Sequence, residues 1–220
     1  MKLDLHVHSN YSRDAVPSVH ELISGCQKVG LDGLAITDHN AIEGSLKALE
    51  LARSAGVLVI RGVEVSTIDG HVLAYGVDAL VPRGLTIEET VERIRNLGGI
   101  AVAAHPKRFP SGIGLEKAER CDFDAIEVLN GGSSRSANKL ARRIADSQQL
   151  PQTGGSDAHK LHELGRAFAS IEGVSNEDDA IAAIKRGLSR PEGRSRSPKE
   201  SAVYSYEILM EWLKGGFRRM

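Results

Sequence analysis

The feature of this 220-residue chain that most restricts its fold is an alternation of strand-like and helix-like segments, repeated about seven times. This pattern is typical of an α/β protein with a largely parallel sheet. The predicted strands are 4–8, 33–37, 57–60 extended by 63–65, 71–75, 100–104, 125–129, one beginning at 152–153, and 167–171. The predicted helices are 16–30, 42–55, 86–97, 137–147 and 178–188.

Two architectures fit this alternation, an open doubly wound sheet and a closed barrel. No Gly-x-Gly-x-x-Gly fingerprint follows an early strand, so the dinucleotide-binding form of the open sheet loses support. Polar side chains end almost every predicted strand, and a barrel collects residues from many strand ends on one face. The pattern therefore favours a barrel.

Composition restricts the partners only weakly. Apolar residues make up 41% of the chain, charged residues 26%, and the net charge is -1, so there is no global case for a nucleic-acid or membrane partner. No secretory signal pattern and no bilayer-length apolar run is present, and we expect a cytoplasmic protein. In that compartment Cys26 and Cys121 should be reduced, partly buried thiols.

The first strand carries the strongest chemical signal. Because side chains alternate along a strand, Asp4, His6 and His8 share one face, opposite an apolar face. Taken alone, a His-x-His pair is as consistent with a solvated edge strand as with metal binding.

Further ligand-type side chains end the other strands or flank the predicted hairpin, and together they favour a metal site. Buried unpaired charges in a barrel mouth would be costly without an ion. The histidines are His6, His8, His39, His71, His105 and His159, and the carboxylates are Asp14, Asp38, Glu64 and Asp157.

The donor set limits the metal chemistry. Imidazoles and carboxylates without thiolates suit Zn, Mn, Fe(II), Co or Ni. About nine candidate ligands exceed what one ion needs, so two or three ions sharing a bridging carboxylate are expected. Such clusters bind a hydroxide and hold phosphate oxygens.

The order of the motifs resembles the PHP (polymerase and histidinol phosphatase) family of metal-dependent phosphoesterases. The resemblance covers residues 1–190 and implies a distorted (β/α)7 TIM-like barrel with a trinuclear site. The matching motifs are His6-Val7-His8-Ser9 with Asp14, Thr37-Asp38-His39-Asn40, Gly62-Val63-Glu64, His105-Pro106 and Gly155-Ser156-Asp157-Ala158-His159.

The resemblance also implies how the ligands divide among the ions. It assigns His6, His8, Glu64 and Asp157 to one ion, Glu64, His71 and His105 to a second, and Asp14, His39 and His159 to a third. His71 is placed only by its position after Glu64, and Asp14 stands where other members have a histidine. Asp4 and Asp38 are expected to orient imidazoles.

The expected chemistry is hydrolysis of a phosphomonoester by a metal-bridging hydroxide. The expected catalytic set is His6, His8, Glu64, His105, Asp157 and His159. Lys107, Arg108 and Arg135 are the candidates for binding substrate, a phosphorylated small molecule or a nucleotide, and Lys160 is a weaker one. The expected cofactors are two or three divalent ions, Mn, Zn or Fe.

Three other functions stay open. A nuclease trimming oligonucleotides would use the same site and the basic stretch near the C-terminus, including Arg196, Arg218 and Arg219, although few aromatic residues interleave with that stretch. A non-enzymatic scaffold would not need the intact ligands. A C–N hydrolase is disfavoured by the basic residues near the mouth.

The chain divides at residue 190 in this interpretation. Residues 1–190 form the barrel, and residues 191–220 form a linker and a C-terminal amphipathic segment that packs on the barrel or is partly disordered. The composition from Arg190 to Pro198, rich in Arg, Ser, Pro and Gly, predicts a flexible linker.

Overall fold

The strand–helix alternation folds into a barrel-like α/β structure, described here from a computed structural model. The structure describes residues 1–108 and 110–214, with only the backbone at 207–209 and 211–214. The strands are β1 Lys2–Val7, β2 Gly33–Ile36, β3 Leu58–Ser66, β4 His71–Tyr75, β5 Ile100–Ala103, β6 Ala125–Asn130, β7 Gln152–Gly155, β8 Ala167–Ser170 and β9 Arg190–Gly193. The helices are α1 Val19–Lys28, α2 Glu43–Ala55, α3 Ile87–Asn96, α4 Leu115–Arg120, α5 Arg135–Gln148, α6 Glu177–Lys185 and α7 Pro198–Lys214, with a 3₁₀ turn at Leu161–Glu163.

The sheet runs in the order β7-β6-β5-β4-β3-β2-β1-β8-β9. Strands β1, β2 and β3 are parallel neighbours, as are β5, β6 and β7, whereas β4 is antiparallel to both β3 and β5. The β3–β4 pair confirms the predicted hairpin. Because β4 runs backwards, its first residue, His71, lies at the same end of the sheet as the last residues of the parallel strands.

Strands β1 and β7 nearly close the sheet into a barrel. The Asp157 amide donates to the His6 carbonyl at 2.7 Å, and the His8 amide donates to the Ala158 carbonyl at 3.0 Å. Gly155 makes this approach possible, since a Cβ there would overlap the backbone and Cβ of His6. The backbone contact that closes the barrel thus holds the ends of β1 and β7 side by side.

Local sequence explains the helix boundaries. Ser18 and Glu21 form a capping box at the start of α1, and Thr86 and Glu89 form the predicted one at the start of α3. In each, the hydroxyl accepts from a free backbone N–H and the glutamate accepts from the cap residue's own amide. These reciprocal bonds fix where each helix begins.

The buried face of α2 differs in part from the prediction. The sequence placed Leu46, Leu49 and Leu51 on or near its apolar side; Leu49 and Leu51 are partly buried against a core cluster, but Leu46 is exposed. The fully buried residues of the helix are Gly44, Ser45, Ala48 and Ala52. Small side chains let the helix approach the strands closely, and the Ser45 hydroxyl accepts from the Gly62 amide at 2.9 Å.

The stretch predicted as a flexible linker begins with a strand. Arg190–Gly193 forms β9, which pairs antiparallel with β8, and Arg196 donates its amide to the Ser133 carbonyl. Backbone pairing, which composition does not reveal, orders this Arg-, Pro- and Gly-containing segment. The division of the chain at residue 190 stays a prediction, and residues 215–220, with Arg218 and Arg219, lie outside the described residues.

An apolar cluster lies below the ligand end of the sheet, on the face that carries Glu64. Leu73 stands opposite Glu64 in the β3–β4 register and belongs to this cluster, with Leu5, Ile60 and Tyr75. The opposite face packs residues such as Val63 against surrounding helices. Among the helices of the described residues, none is both long and apolar enough to traverse a bilayer.

Candidate metal centre

The predicted ligands converge at one end of the barrel. His6 and His8 lie at the end of β1, His39 follows β2, Glu64 lies near the end of β3, and His71 begins β4. The remaining ligands follow β5 or β7, or lie in the loop after β1: His105, Asp157, His159 and Asp14. The alternating faces of the strands and the common end of the sheet account for this convergence.

Glu64 is the centre of the cluster. Its Oε1 lies 2.8 Å from His71 Nδ1 and 2.9 Å from His105 Nε2. Its Oε2 faces three further imidazole nitrogens at 3.1 to 3.3 Å, those of His39, His8 and His6. One carboxylate, with a side chain only 1% exposed, thus faces five histidines. His71, which the sequence placed by position alone, is among them.

Asp157 lies beside the same two imidazoles of β1. Its Oδ1 is 3.4 Å from His8 Nε2 and 3.7 Å from His6 Nε2. His159 Nδ1 is 3.5 Å from the same oxygen. The other oxygen accepts from Asn130 Nδ2 at 3.2 Å and forms an ion pair with Arg108.

Asp14 brings together the outer imidazoles. Its Oδ2 lies 3.2 Å from His159 Nε2 and 3.6 Å from His39 Nε2. The Asp14 side chain is 50% exposed, in contrast to the buried Glu64 and Asp157. This outer group occupies the rim of the centre.

Among the residues that the structure describes, four groups of three place their donor atoms within 4.8 Å of one another. They are His6 with Glu64 and His105, His6 with His8 and Asp157, His39 with Glu64 and His71, and His8 with His39 and His159. The residues shared between groups, such as Glu64 and His6, would allow neighbouring ions to have ligands in common.

Several donor atoms of the centre are buried and have no hydrogen-bond partner among the described residues. These atoms are His6 Nε2, His8 Nε2, His39 Nδ1, Glu64 Oε2 and His105 Nδ1. The nitrogens of His6, His8 and His39 lie 3.1 to 3.3 Å from Glu64 Oε2, which is close to hydrogen-bond distance, but the angles are not those of hydrogen bonds. Buried polar atoms are normally satisfied, so unpaired donors pointing together fit divalent cations.

Glu127, in the middle of apolar strand β6, is a site residue that sequence reasoning missed. Its Oε1 lies 2.9 Å from His6 Nδ1, and its Oε2 accepts from the His105 amide at 2.9 Å. A carboxylate on the ring nitrogen opposite a metal-binding nitrogen orients the ring and raises its basicity. The sequence feature that could have identified Glu127 is an acidic residue between apolar neighbours in a predicted strand, close to the strand end at which the ligands lie.

Asp38 acts on the imidazoles through a serine. Its Oδ1 accepts from the Ser12 hydroxyl at 3.0 Å, and Ser12 Oγ in turn lies 3.2 Å from His8 Nδ1 and accepts from the His39 amide. Asp4 makes no ring contact within the described residues. It accepts from the amides of His6, Ser156 and Gly165, and so ties β1 to the residues after β7.

Burial and neighbouring charges shift the pKa values of the centre in opposite directions. Burial opposes charge on His6, but the carboxylates of Glu127 and Glu64 outweigh burial and raise its pKa to about 10. Burial and the neighbouring His159 hold the pKa of His8 well below its usual range. Burial also lowers the pKa of His105, to about 4. The neutral imidazoles are ready metal donors, whereas His6 must lose a proton to bind.

Two residues of the centre have backbone conformations that are rare outside glycine. His105 has φ 27° and Asp157 has φ 54°. Each lies two positions after the end of a strand, β5 or β7, where a left-handed residue turns the chain and redirects the next side chain. Such conformations cluster at functional sites because the surrounding structure holds them in place.

The predicted substrate-binding residues do not all reach the centre. Arg108 does, through its ion pair with Asp157. Lys107 and Arg135 are exposed, and among the described residues neither makes a side-chain hydrogen bond or ion pair. Their role in binding substrate stays a prediction. Cys26 and Cys121 are free, and burial raises their thiol pKa values to about 12 and about 11.

A buried cluster of imidazoles and carboxylates at the ligand end of an α/β barrel defines the class of a metal-dependent hydrolase. The chain belongs to the PHP domain family, whose model matches residues 4–130, and a PHP-associated model matches residues 135–188. The distorted TIM-like barrel predicted from the sequence is thereby confirmed.

Relatives and solved structures agree with this assignment. An uncharacterised protein of Methanocaldococcus jannaschii is 34% identical over 59% of this chain and 82% of its own length. A 5′-3′ exoribonuclease of Haemophilus influenzae is 31% identical over 78% of this chain and 60% of its own length. The crystal structure of a two-domain protein from Bacteroides vulgatus containing a predicted PHP-like metal-dependent phosphoesterase superimposes with a TM-score of 0.72, covering 88% of this chain and 65% of that one at 17% identity.

Proposed function

We propose that this protein is a phosphomonoesterase that depends on two or three divalent ions, Mn, Zn or Fe, and acts on a phosphorylated small molecule or nucleotide. The observation that carries the proposal is the group of buried, unpaired donor atoms around Glu64. The burial of these donors favours a terminal phosphate over a phosphodiester within a strand. The cytoplasmic location stays a prediction.

The chain's own residues have separate roles in this proposal. His6, His8, Glu64, His105, Asp157 and His159 form the catalytic set, and Asp14, His39 and His71 complete the metal ligands. Bound divalent ions supply Lewis acidity toward the phosphoryl oxygens and the attacking water. Glu127 holds the His6 ring in place, and Ser12 holds that of His8.

Arg108 is the side chain best placed to bind the substrate phosphate. Its guanidinium contacts Asp157, a proposed ligand, and is 17% exposed. A guanidinium at this position can form two parallel hydrogen bonds to phosphate oxygens and balance charge that develops during transfer.

An exonuclease that trims oligonucleotides from an end is the second candidate. The observation that favours it is the similarity to the Haemophilus influenzae 5′-3′ exoribonuclease, although this chain spans only 60% of that protein. The same metal centre would serve, since the phosphodiester that an exonuclease cleaves lies only one nucleotide from the chain end.

The deciding experiment measures phosphate release and oligonucleotide shortening by the Mn- or Zn-loaded protein. The substrates are mononucleotides, other small phosphomonoesters and short 5′-phosphorylated oligonucleotides. Glu64→Ala is the inactive variant, and Glu92→Gln, an exposed glutamate on α3, is the matched control.

Release from a monoester that is lost in Glu64→Ala and kept in Glu92→Gln supports the phosphatase. Products from oligonucleotides alone support the exonuclease. A metal-loaded protein that acts on none of these substrates contradicts both proposals.

A further inference from the structure

Three arginines from distant parts of the chain meet beside the metal centre. Arg108 follows β5, Arg166 precedes β8, and Arg196 follows β9. We call these residues the arginine cluster. Arg196 lies beyond both regions matched by the family models.

The loop at 131–133, which follows β6, brings the cluster together. Arg166 Nη1 approaches the Gly131 carbonyl at 3.5 Å, and the Arg196 amide donates to the Ser133 carbonyl at 3.0 Å. A Cβ on Gly132 would lie 3.1 Å from Arg108 Nη1 and 3.0 Å from an Asp157 oxygen. The cluster therefore adjoins a proposed metal ligand.

Arg196 is a buried cation with few partners. Its side chain is 7% exposed, and its nearest carboxylate oxygen, on Glu163, lies 3.9 Å away. Its guanidinium donates no hydrogen bond to the residues that the structure describes, while its carbon lies 3.9 Å from the ring centroid of Tyr204. A buried guanidinium with unused donors is costly unless an anion meets it.

Asp157 pairs with Arg108, but the other carboxylates nearby do not balance Arg166 and Arg196. Glu163 is shared between Arg166 at 3.4 Å and Arg196 at 3.9 Å. Glu200 is 3.6 Å from Arg166 but forms shorter bonds to Arg194, at 2.8 and 2.9 Å. Burial and the nearby charge of Arg108 lower the pKa of Arg196.

An unpaired hydroxyl lies at the same place. Ser133 is 3% exposed, and its Oγ has no hydrogen-bond partner within the described part of the chain. Its carbonyl already receives the Arg196 amide, so the two residues are fixed side by side. A buried hydroxyl on the residue that pairs with the Arg196 backbone can donate to an oxyanion.

We propose that Arg166, Arg196 and the Ser133 hydroxyl form a binding site for a second anionic group of the substrate, a phosphate or a carboxylate that is not hydrolysed, while Arg108 binds the phosphate at the metal centre. This inference rests on the proposed hydrolysis of a phosphoester at the adjacent metal centre. The site would select substrates with two anionic groups over simple monoesters.

Tyr204, on α7, positions two members of the cluster. Its ring covers the Arg196 guanidinium, and its hydroxyl lies 3.5 Å from Arg108 Nη2. Stacking on an aromatic face fixes the plane of a guanidinium without consuming its N–H donors. The C-terminal helix thus supplies one wall of the proposed site.

The test compares three substrates built on the same carbon chain: propyl phosphate, propanediol bisphosphate and phosphooxypropanoate. The variant is Arg196→Gln, and the matched control is Arg190→Gln, which removes a 79% exposed arginine on β9. We expect Arg196→Gln to lower kcat/KM by about ten- to a hundredfold for the two doubly anionic substrates, because the variant loses charged hydrogen bonds to the second anion. Propyl phosphate turnover should be unchanged, and Arg190→Gln should affect no substrate.

Comparison of the two doubly anionic substrates identifies the anion, since a loss for only one of them assigns phosphate or carboxylate. Arg196→Lys should restore part of the lost activity. If Arg196→Gln fails to fold, Ser133→Ala, which removes no charge, tests the site in its place. An equal loss for all three substrates, or no loss, in a folded Arg196→Gln protein overturns the proposal.

A binding measurement separates this inference from the proposed function. Propylene bisphosphonate, which cannot be hydrolysed, is titrated calorimetrically into wild-type, Arg196→Gln and Arg190→Gln proteins. Weaker binding to Arg196→Gln alone supports the site even if no substrate is turned over. The absence of turnover would then contradict only the phosphatase. Equal binding to all three proteins contradicts the site even if the phosphatase is active.

Discussion

The metal centre has a buried half and an exposed half that differ in how they are held. His6, His8, Glu64, His105 and Asp157 are at most 3% exposed, and carboxylates, serines and amides behind them fix their positions. The outer residues His39, His71 and His159 have side chains 19 to 24% exposed, and Asp14 is 50% exposed. Burial thus decreases from the barrel interior to the rim, and we expect affinity for metal to decrease with it.

Glu64→Ala should have the largest effect, because this carboxylate joins both halves. Five imidazoles lose their common partner, and metal binding and phosphoester hydrolysis should fall by about a thousandfold or more. Metal content by mass spectrometry and turnover under saturating Mn measure this. A Glu64→Ala protein that keeps full metal content would show that Glu64 is not an essential metal ligand.

Glu127→Gln tests the support behind the buried half. The amide keeps the size of the side chain but removes the negative charge next to His6 Nδ1. Metal affinity should fall by about ten- to a hundredfold, as for other carboxylates that orient histidine ligands. Calorimetric titration with Mn measures the change, and unaltered affinity would mean that Glu127 only fills space.

The pH dependence of metal affinity should also report the buried half. In the metal-free protein His6 keeps its proton up to its raised pKa of about 10, so metal binding below that pH releases the proton. Affinity should therefore rise with pH between neutrality and pH 9, by about tenfold per unit for one proton. Titrations in buffers of different ionisation enthalpy count the protons, and a flat profile would contradict the charged state of His6.

Asp14→Ala should have the smallest effect, because Asp14 is half exposed and touches only the outer imidazoles. We expect about a tenfold or smaller loss of affinity, confined to one ion, with the remaining ions bound as in the wild type. Stepwise Mn titration resolves this. Loss of all bound metal would show that the two halves are interdependent.

Much of the buried half could be predicted from the sequence because its residues belong to strands. Alternation along β1 places His6 and His8 on one face, and parallel strands bring their ends together. His105 and Asp157 follow strands that short apolar runs already mark. Glu127 was missed because a single acid within such a run has no periodic signal, and only its contact with His6 reveals its role.

The arginine cluster, in contrast, could not be predicted from the sequence. Arg108 was a candidate from its position after His105, but Arg166 and Arg196 have no motif that separates them from solvated surface arginines. Pairing of β8 with β9, in a segment that composition assigned to a linker, carries Arg196 back to the loop at 131–133.

The sequence by itself determined the barrel class, the hairpin after Glu64 and the nine candidate ligands, since strand periodicity and the order of motifs are local properties. The tertiary structure decided which nitrogen faces which oxygen, that Glu127 and Ser12 hold the ligands, and that Arg196 and Tyr204 adjoin the centre. Those relations depend on backbone pairing and packing between residues far apart in the chain, and local sequence does not encode such distances.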